Sequence, residues 1–181
     1  DTFSVRVLST ILGWPGLSVR VRVSSSQPVA YSAATPSFQK PASGTHVGEF
    51  VVEPLMGGEA FNVLDSCVDG ALLVESLTGS LPSAALRAYW NSTSANGTYF
   101  SRMESAIYLL GDEGYDDCVI IHEYGHYAAA LYSKDDSPGG EHFVDDSNQD
   151  VRLSWSEGWA SYFQSAARRL AGDPHPSWYV D

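Results

Sequence analysis

The chain has 181 residues, 44% hydrophobic and 18% charged, with a formal net charge of −12. That length and composition suit one or two globular domains with a working core and exclude a disordered chain. Ten bases against 22 acids leave no basic face for nucleic-acid phosphates or an anionic membrane surface, no apolar run approaches the roughly 20 residues of a spanning helix, and two cysteines are too few for a disulfide scaffold.

The acid is unevenly placed. Residues 1–55 carry three acids and four bases, whereas residues 56–181 carry nineteen acids and six bases, so a boundary is expected between Pro54 and Gly58. Phe3 to Leu8 alternates, with Val5 and Val7 on one face. Gly13 to Gly16 is a turn signal, and Leu17 to Val23 alternates again with Arg20 and Arg22 on its polar side. Val47 to Val52 is a third candidate strand. Period-two alternation bounded by Gly and Pro is the half-buried antiparallel pattern, so residues 1–55 read as a small β-sandwich-like or hairpin accessory segment.

From Glu59 the period changes. Phe61, Leu64, Val68 and Leu72, with Val63, Cys67, Ala71 and Val74 on a neighbouring stripe, predict one amphipathic helix stopped by Gly79. Leu86 to Trp90 and Thr98 to Arg102 read as strands joined through the Asn96–Gly97 turn pair, and Ser105 to Leu110 as another strand. A strong helix follows from about Asp117 to Ser133, with Asp116 or Asp117 placed to cap it. Residues 134–150 are loop, and Leu153 to Leu170 is a last helix whose Arg168 and Arg169 complement its C-terminal dipole.

The string that carries chemistry is His122-Glu123-Tyr124-Gly125-His126. Histidines at i and i+4 share one helix face, so their ring nitrogens can converge on one zinc ion at about 2.0–2.1 Å. Glu123 points beside that ion and can reach its bound water, whose pKa zinc lowers from 15.7 to about 7. Such a carboxylate takes the remaining proton and passes it to a leaving amine. Two core histidines on a buried helix would need polar partners to be tolerated. A catalytic zinc wants a third protein ligand and an open position. Glu157, in the last predicted helix, supplies it if the two helices pack side by side; Asp145, Asp146, Asp150 and His142 are the alternatives. Gly125 and Gly158 each sit in a helix interior, where glycine costs about 1 kcal/mol relative to alanine, and each abuts a proposed ligand, which suggests close backbone approach.

From Glu59 to Ala171 the sequence resembles the gluzincin zinc metallopeptidases, which pair this motif with a downstream glutamate on a second helix. The metzincin extension is absent, because Ala129 and Tyr132 stand where Gly and His would be needed. The resemblance implies an α+β zincin-like core, with backing helix, twisted mixed sheet, active-site helix and glutamate helix. It also implies His122, His126 and Glu157 as zinc ligands, Glu123 as general base and acid, and peptide-bond hydrolysis. An extended substrate strand would pair with a sheet edge, placed here at Ser105 to Leu110. Two departures stand out. Thermolysin-like members carry an Asp four residues after the glutamate to orient a histidine, but this chain has Ser161, leaving Asp116, Asp117 or Asn148 to serve. The chain also ends soon after the glutamate helix, where larger gluzincins add a subdomain carrying an oxyanion-stabilising Tyr or His, so this is either a compact version or a fragment; the chemistry still requires a stabiliser, with His142 the first choice and Tyr162, Tyr179 and His175 next. His46 has no claim. Residues 1–55 loosely resemble the transthyretin-like modules beside many secreted peptidases.

Lesser signals complete the reading. Cys67 and Cys118 fall on two helices that should pack together, where a disulfide or two buried thiols would both fit. Asn91-Ser92-Thr93 and Asn96-Gly97-Thr98 match the glycosylation acceptor pattern. Asp135, Asp136, Glu141, Asp145, Asp146 and Asp150 offer weak support for calcium without EF-hand spacing. No charged-then-apolar leader opens the sequence, so any signal peptide is expected to have been removed or never present. The expected protein is a secreted zinc endopeptidase acting on peptide or protein substrates. The alternatives are a non-catalytic binding or adhesion module of the same fold, or a peptidase with an Asp as third ligand.

Overall fold

The computed structural model describes residues 2–14, 16–39, 51–54, 56–140, 142–143 and 147–178. Its elements in chain order are β1 (Thr2–Phe3), β2 (Arg6–Leu8), β3 (Thr10–Trp14), β4 (Leu17–Arg22), β5 (Ser32–Ala34), β6 (Phe38–Gln39), α1 (Gly58–Thr78), β7 (Leu86–Tyr89), β8 (Tyr99–Ser101), β9 (Ala106–Tyr108), α2 (Asp117–Tyr132) and α3 (Val151–Ala171). The fold is mixed α+β. Its central sheet has five strands in the order β3-β4-β7-β9-β8, with β4, β7 and β9 parallel and the outer pairs antiparallel.

That sheet crosses the boundary expected near residue 56. Val19 to Arg22 of β4 pairs in parallel with Leu86 to Tyr89 of β7. The alternation in β4 is the reason: Leu17, Val19 and Val21 are buried in the same core as α1 and α2, while Arg20 faces solvent. Phe3 to Leu8 is not one strand. It splits into β1, paired with β6, and β2, paired with β5, and Val5, Val7 and Leu8 are exposed. The third candidate strand falls largely outside the described residues; Val51 and Val52 lie outside any strand.

Helix α1 is bounded by glycines on both sides, and Gly79, with φ +80°, closes it by donating its N–H to the Glu75 carbonyl. Of its two apolar stripes, Val63, Cys67, Ala71 and Val74 form the buried one, whereas Leu72 is exposed. Cys67 and Cys118 are both buried and are not joined in a disulfide. Burial pushes the Cys67 thiol up to about 12, and the Cys118 thiol donates to Asp116 Oδ1 at 2.8 Å.

The strand order also changes the expected cleft. Asn96 lies in a bend and Gly97 has φ +87°, but β7 and β8 do not pair; β9 lies between them. Ser105 to Leu110 therefore holds an interior strand, and the edge is β8, which packs against α2.

Candidate metal centre

Helix α2 starts where Asp116 accepts a hydrogen bond from the Val119 N–H at 3.3 Å. It is seated on α1 through Gly70, where a Cβ would lie 2.5 Å from the Tyr124 ring. With that side fixed, His122 and His126 face α3 one turn apart. Gly125 lets α3 approach: a Cβ there would meet Ala160 Cα at 3.0 Å and Phe163 Cβ at 3.1 Å. The Trp159 indole N–H donates to the Gly125 carbonyl at 3.0 Å and locks the pair. Gly158, in contrast, has open space where its Cβ would be, so the close approach rests on Gly125 alone of the two.

This packing brings Glu157 to the histidines. Its Oε2 lies 3.0 Å from His122 Nε2 and 3.3 Å from His126 Nε2, and the two Nε2 atoms are 3.2 Å apart. His142 Nε2, from the loop between the helices, reaches the same Oε2 at 3.3 Å. The outer nitrogens of the helical histidines meet serine hydroxyls. Ser156 Oγ is 3.3 Å from His126 Nδ1, and Ser161 Oγ is 3.5 Å from His122 Nδ1. Ser161 stands where thermolysin-like members carry an Asp, and its hydroxyl lies beside His122. Ser156 had no sequence signature; it is found only once α3 is laid against α2.

Glu123 is buried next to this cluster, and His122, Glu123 and His126 place one donor atom each within 4.8 Å of one another, a group able to hold a metal ion. Burial raises the Glu123 carboxyl above the ordinary carboxylate range; the neighbouring His126 and His122 and a hydrogen bond from the Phe100 backbone partly offset it. Burial acts on Glu157 in the same direction, but hydrogen bonds from His122 and His126, with the charges of His126 and His142, outweigh it and hold Glu157 well below that range. For His126 burial disfavours the cation, and the contact with Glu157 together with the charges of Glu123, Glu157 and Asp135 overcomes this and raises its pKa. These residues open onto a cleft of about 290 Å³, walled by Phe100 of the edge strand and Arg102 just after it, by Asp135 and Ser137 to Gly140 of the loop, and by Leu153 and Ser156 of α3. The loop is tied down where Arg102 Nη1 donates to the Asp135 carbonyl at 2.6 Å.

Other candidates sit elsewhere. Asp116 caps α2, and Asp117 Oδ1 accepts from Asn62 and Ser66, so neither orients a histidine. Asp150 caps α3 and pairs with Arg152 at 2.8 Å. Tyr162 is exposed beside Trp159, and His175 stacks on Trp178; neither lines the cleft. Asp135, Asp136 and Asp150 do not gather into a calcium-like cluster among the described residues. His46, Glu141, Asp145, Asp146 and Tyr179 lie outside the described residues. Asn91 is committed inward, donating to the Val23 carbonyl and accepting from Thr93.

A family model, the Mycolysin C-terminal domain, matches residues 78–180, which include every described residue of this cluster. The chain belongs to the Mycolysin C-terminal domain family. That is a domain of a zinc metallopeptidase family, and the match associates the chain with it without showing catalysis. A protein of Archaeoglobus fulgidus, described only as uncharacterized, is 39% identical over 59 residues, which are 32% of this chain and 17% of that protein. No solved structure matches the chain. No helix among the described residues is long and apolar enough to cross a membrane.

Proposed function

We propose that the chain is a zinc-dependent metallopeptidase with His122, His126 and Glu157 as the ligands and Glu123 as the proton carrier. The observation that carries this reading is the convergence of three donor atoms at separations of 3.0 to 3.3 Å. Ligands at 2.0–2.1 Å around a tetrahedral ion are themselves about 3.3 to 3.4 Å apart, so the donor set fits zinc in both chemistry and spacing. The element order of α1, sheet, α2 and α3 supports a zincin-like core.

When bound, such an ion acts as a Lewis acid toward the scissile carbonyl and acidifies the attacking water. Glu123, buried beside the histidines on the same helix, is placed to accept the water's proton and deliver it to the leaving amine. Ser156 and Ser161 hold the histidine rings in orientation from their outer nitrogens. The edge strand β8, with Phe100 and Arg102 on the cleft wall, is where an extended peptide would lie. Secretion is the compartment this reading favours.

The second reading is a non-catalytic module that keeps the metal. It is favoured by the match being to a C-terminal domain of that peptidase family rather than to a whole peptidase. Glu123→Gln separates the two. Under the first reading the variant binds zinc like the parent and loses casein cleavage by about 10²–10⁴-fold, the usual worth of a general acid–base group. Unchanged cleavage in the variant, or none by the zinc-loaded parent, removes the catalytic reading.

A further inference from the structure

We propose that His142 is a fourth side-chain donor to the cation, so that in the absence of substrate the site is closed on four protein groups rather than three. This rests on the metal reading above. Three imidazole Nε2 atoms, those of His122, His126 and His142, lie 3.0, 3.3 and 3.3 Å from the one Glu157 oxygen. His142 comes from the loop, not from a helix, yet its ring points to the same place.

A metal-ligating histidine donates its other ring N–H to a nearby oxygen, which leaves the inner nitrogen with its lone pair free. His142 Nδ1 lies 3.1 Å from the Gly140 carbonyl, which only accepts, so the proton belongs on Nδ1. With its Nδ1–H committed to that carbonyl, the Nε2 turned toward Glu157 is the nitrogen left to meet a cation, and Ser156 and Ser161 stand at the corresponding outer nitrogens of His126 and His122. The backbone that achieves this is unusual, with Gly139 and Gly140 at φ +63° and +105°, conformations that residues with a Cβ rarely adopt.

The test uses cobalt-loaded protein, whose visible spectrum reads the ligand set directly. The parent, His142→Ala and His122→Ala are compared for spectrum, for cobalt affinity against a chelator, and for binding of acetohydroxamate. His142→Ala is expected to keep cobalt with affinity reduced by at least about tenfold, the low end of what even outer partners cost. Its spectrum changes, and it binds acetohydroxamate more tightly because a position has opened. A His142→Ala spectrum and affinities identical to the parent would overturn this inference alone. So would an unchanged spectrum with weaker cobalt binding, because His142 would then act only by donating to Glu157. If His122→Ala keeps the ion at parental affinity, the metal reading itself falls, and this inference with it.

Discussion

The two faces of α2 are built on different physics. Toward α1 the helix is sealed by close apolar contact: Tyr124 lies on Gly70, with Ile120 and Ile121 in the shared core and the Cys67 thiol buried alongside. Toward α3 the same helix offers His122, Glu123 and His126 to Glu157 and two serine hydroxyls. The first face tolerates no added volume and fixes the helix's rotation. The second holds polar groups that only that rotation brings together. Stability and chemistry are thus divided across one helix.

Substitutions that add one methyl at different places probe this division. Gly70→Ala puts a Cβ 2.5 Å from a buried tyrosine ring and is expected to cost the upper part of the roughly 1–3 kcal/mol that overpacking brings, read as a lowered urea midpoint. Gly125→Ala meets the Ala160 backbone at 3.0 Å; it should cost less stability, in the lower part of that roughly 1–3 kcal/mol range. It should weaken zinc binding by spreading the ligands, whereas Gly70→Ala should leave zinc affinity near parental once the protein is folded. Gly158→Ala, one residue from Glu157 but in open space, is expected to stabilise by about 1 kcal/mol through helix propensity alone. Equal losses in all three variants would mean that the two faces do not differ.

The smallest effect tests charge on the α1 side. Burial, then Asp65 and Asp117, push the Asp69 carboxyl up to about 6 from its ordinary 3.8. The folded state therefore binds more protons than the unfolded one between these values, and stability falls as pH rises from about 4 to 6. Asp69→Asn should be slightly more stable than the parent at pH 7 and lose that advantage below pH 4. A gain independent of pH would point to packing instead.

The helices were legible because their signals are local: apolar spacing, Asp116 as a cap, Gly79 as a stop, and Arg168 and Arg169 at the end of the last helix, whereas the Asp150 cap of α3 emerged only in the structure. The strands were legible one by one, but their partners were not. Asn96–Gly97 announces a turn without saying which strands it serves, and β9 enters between β7 and β8 through a long-range parallel pairing. The Leu17 to Val23 alternation likewise showed a strand with one buried face; that β7 is its neighbour depends on contacts more than sixty residues away. In the site, the i, i+4 histidines are written in sequence. The nearness of Glu157 depends on Gly125 admitting α3, and Ser156 follows from that packing without any motif of its own.

Diffraction from zinc-loaded crystals at the zinc absorption edge tests the central claim most directly. The account predicts one anomalous peak between α2 and α3, within about 2.0–2.2 Å of His122 Nε2, His126 Nε2 and a Glu157 oxygen. A zinc-loaded crystal with no peak there, or with the ion held by other side chains while these three point apart, would contradict it.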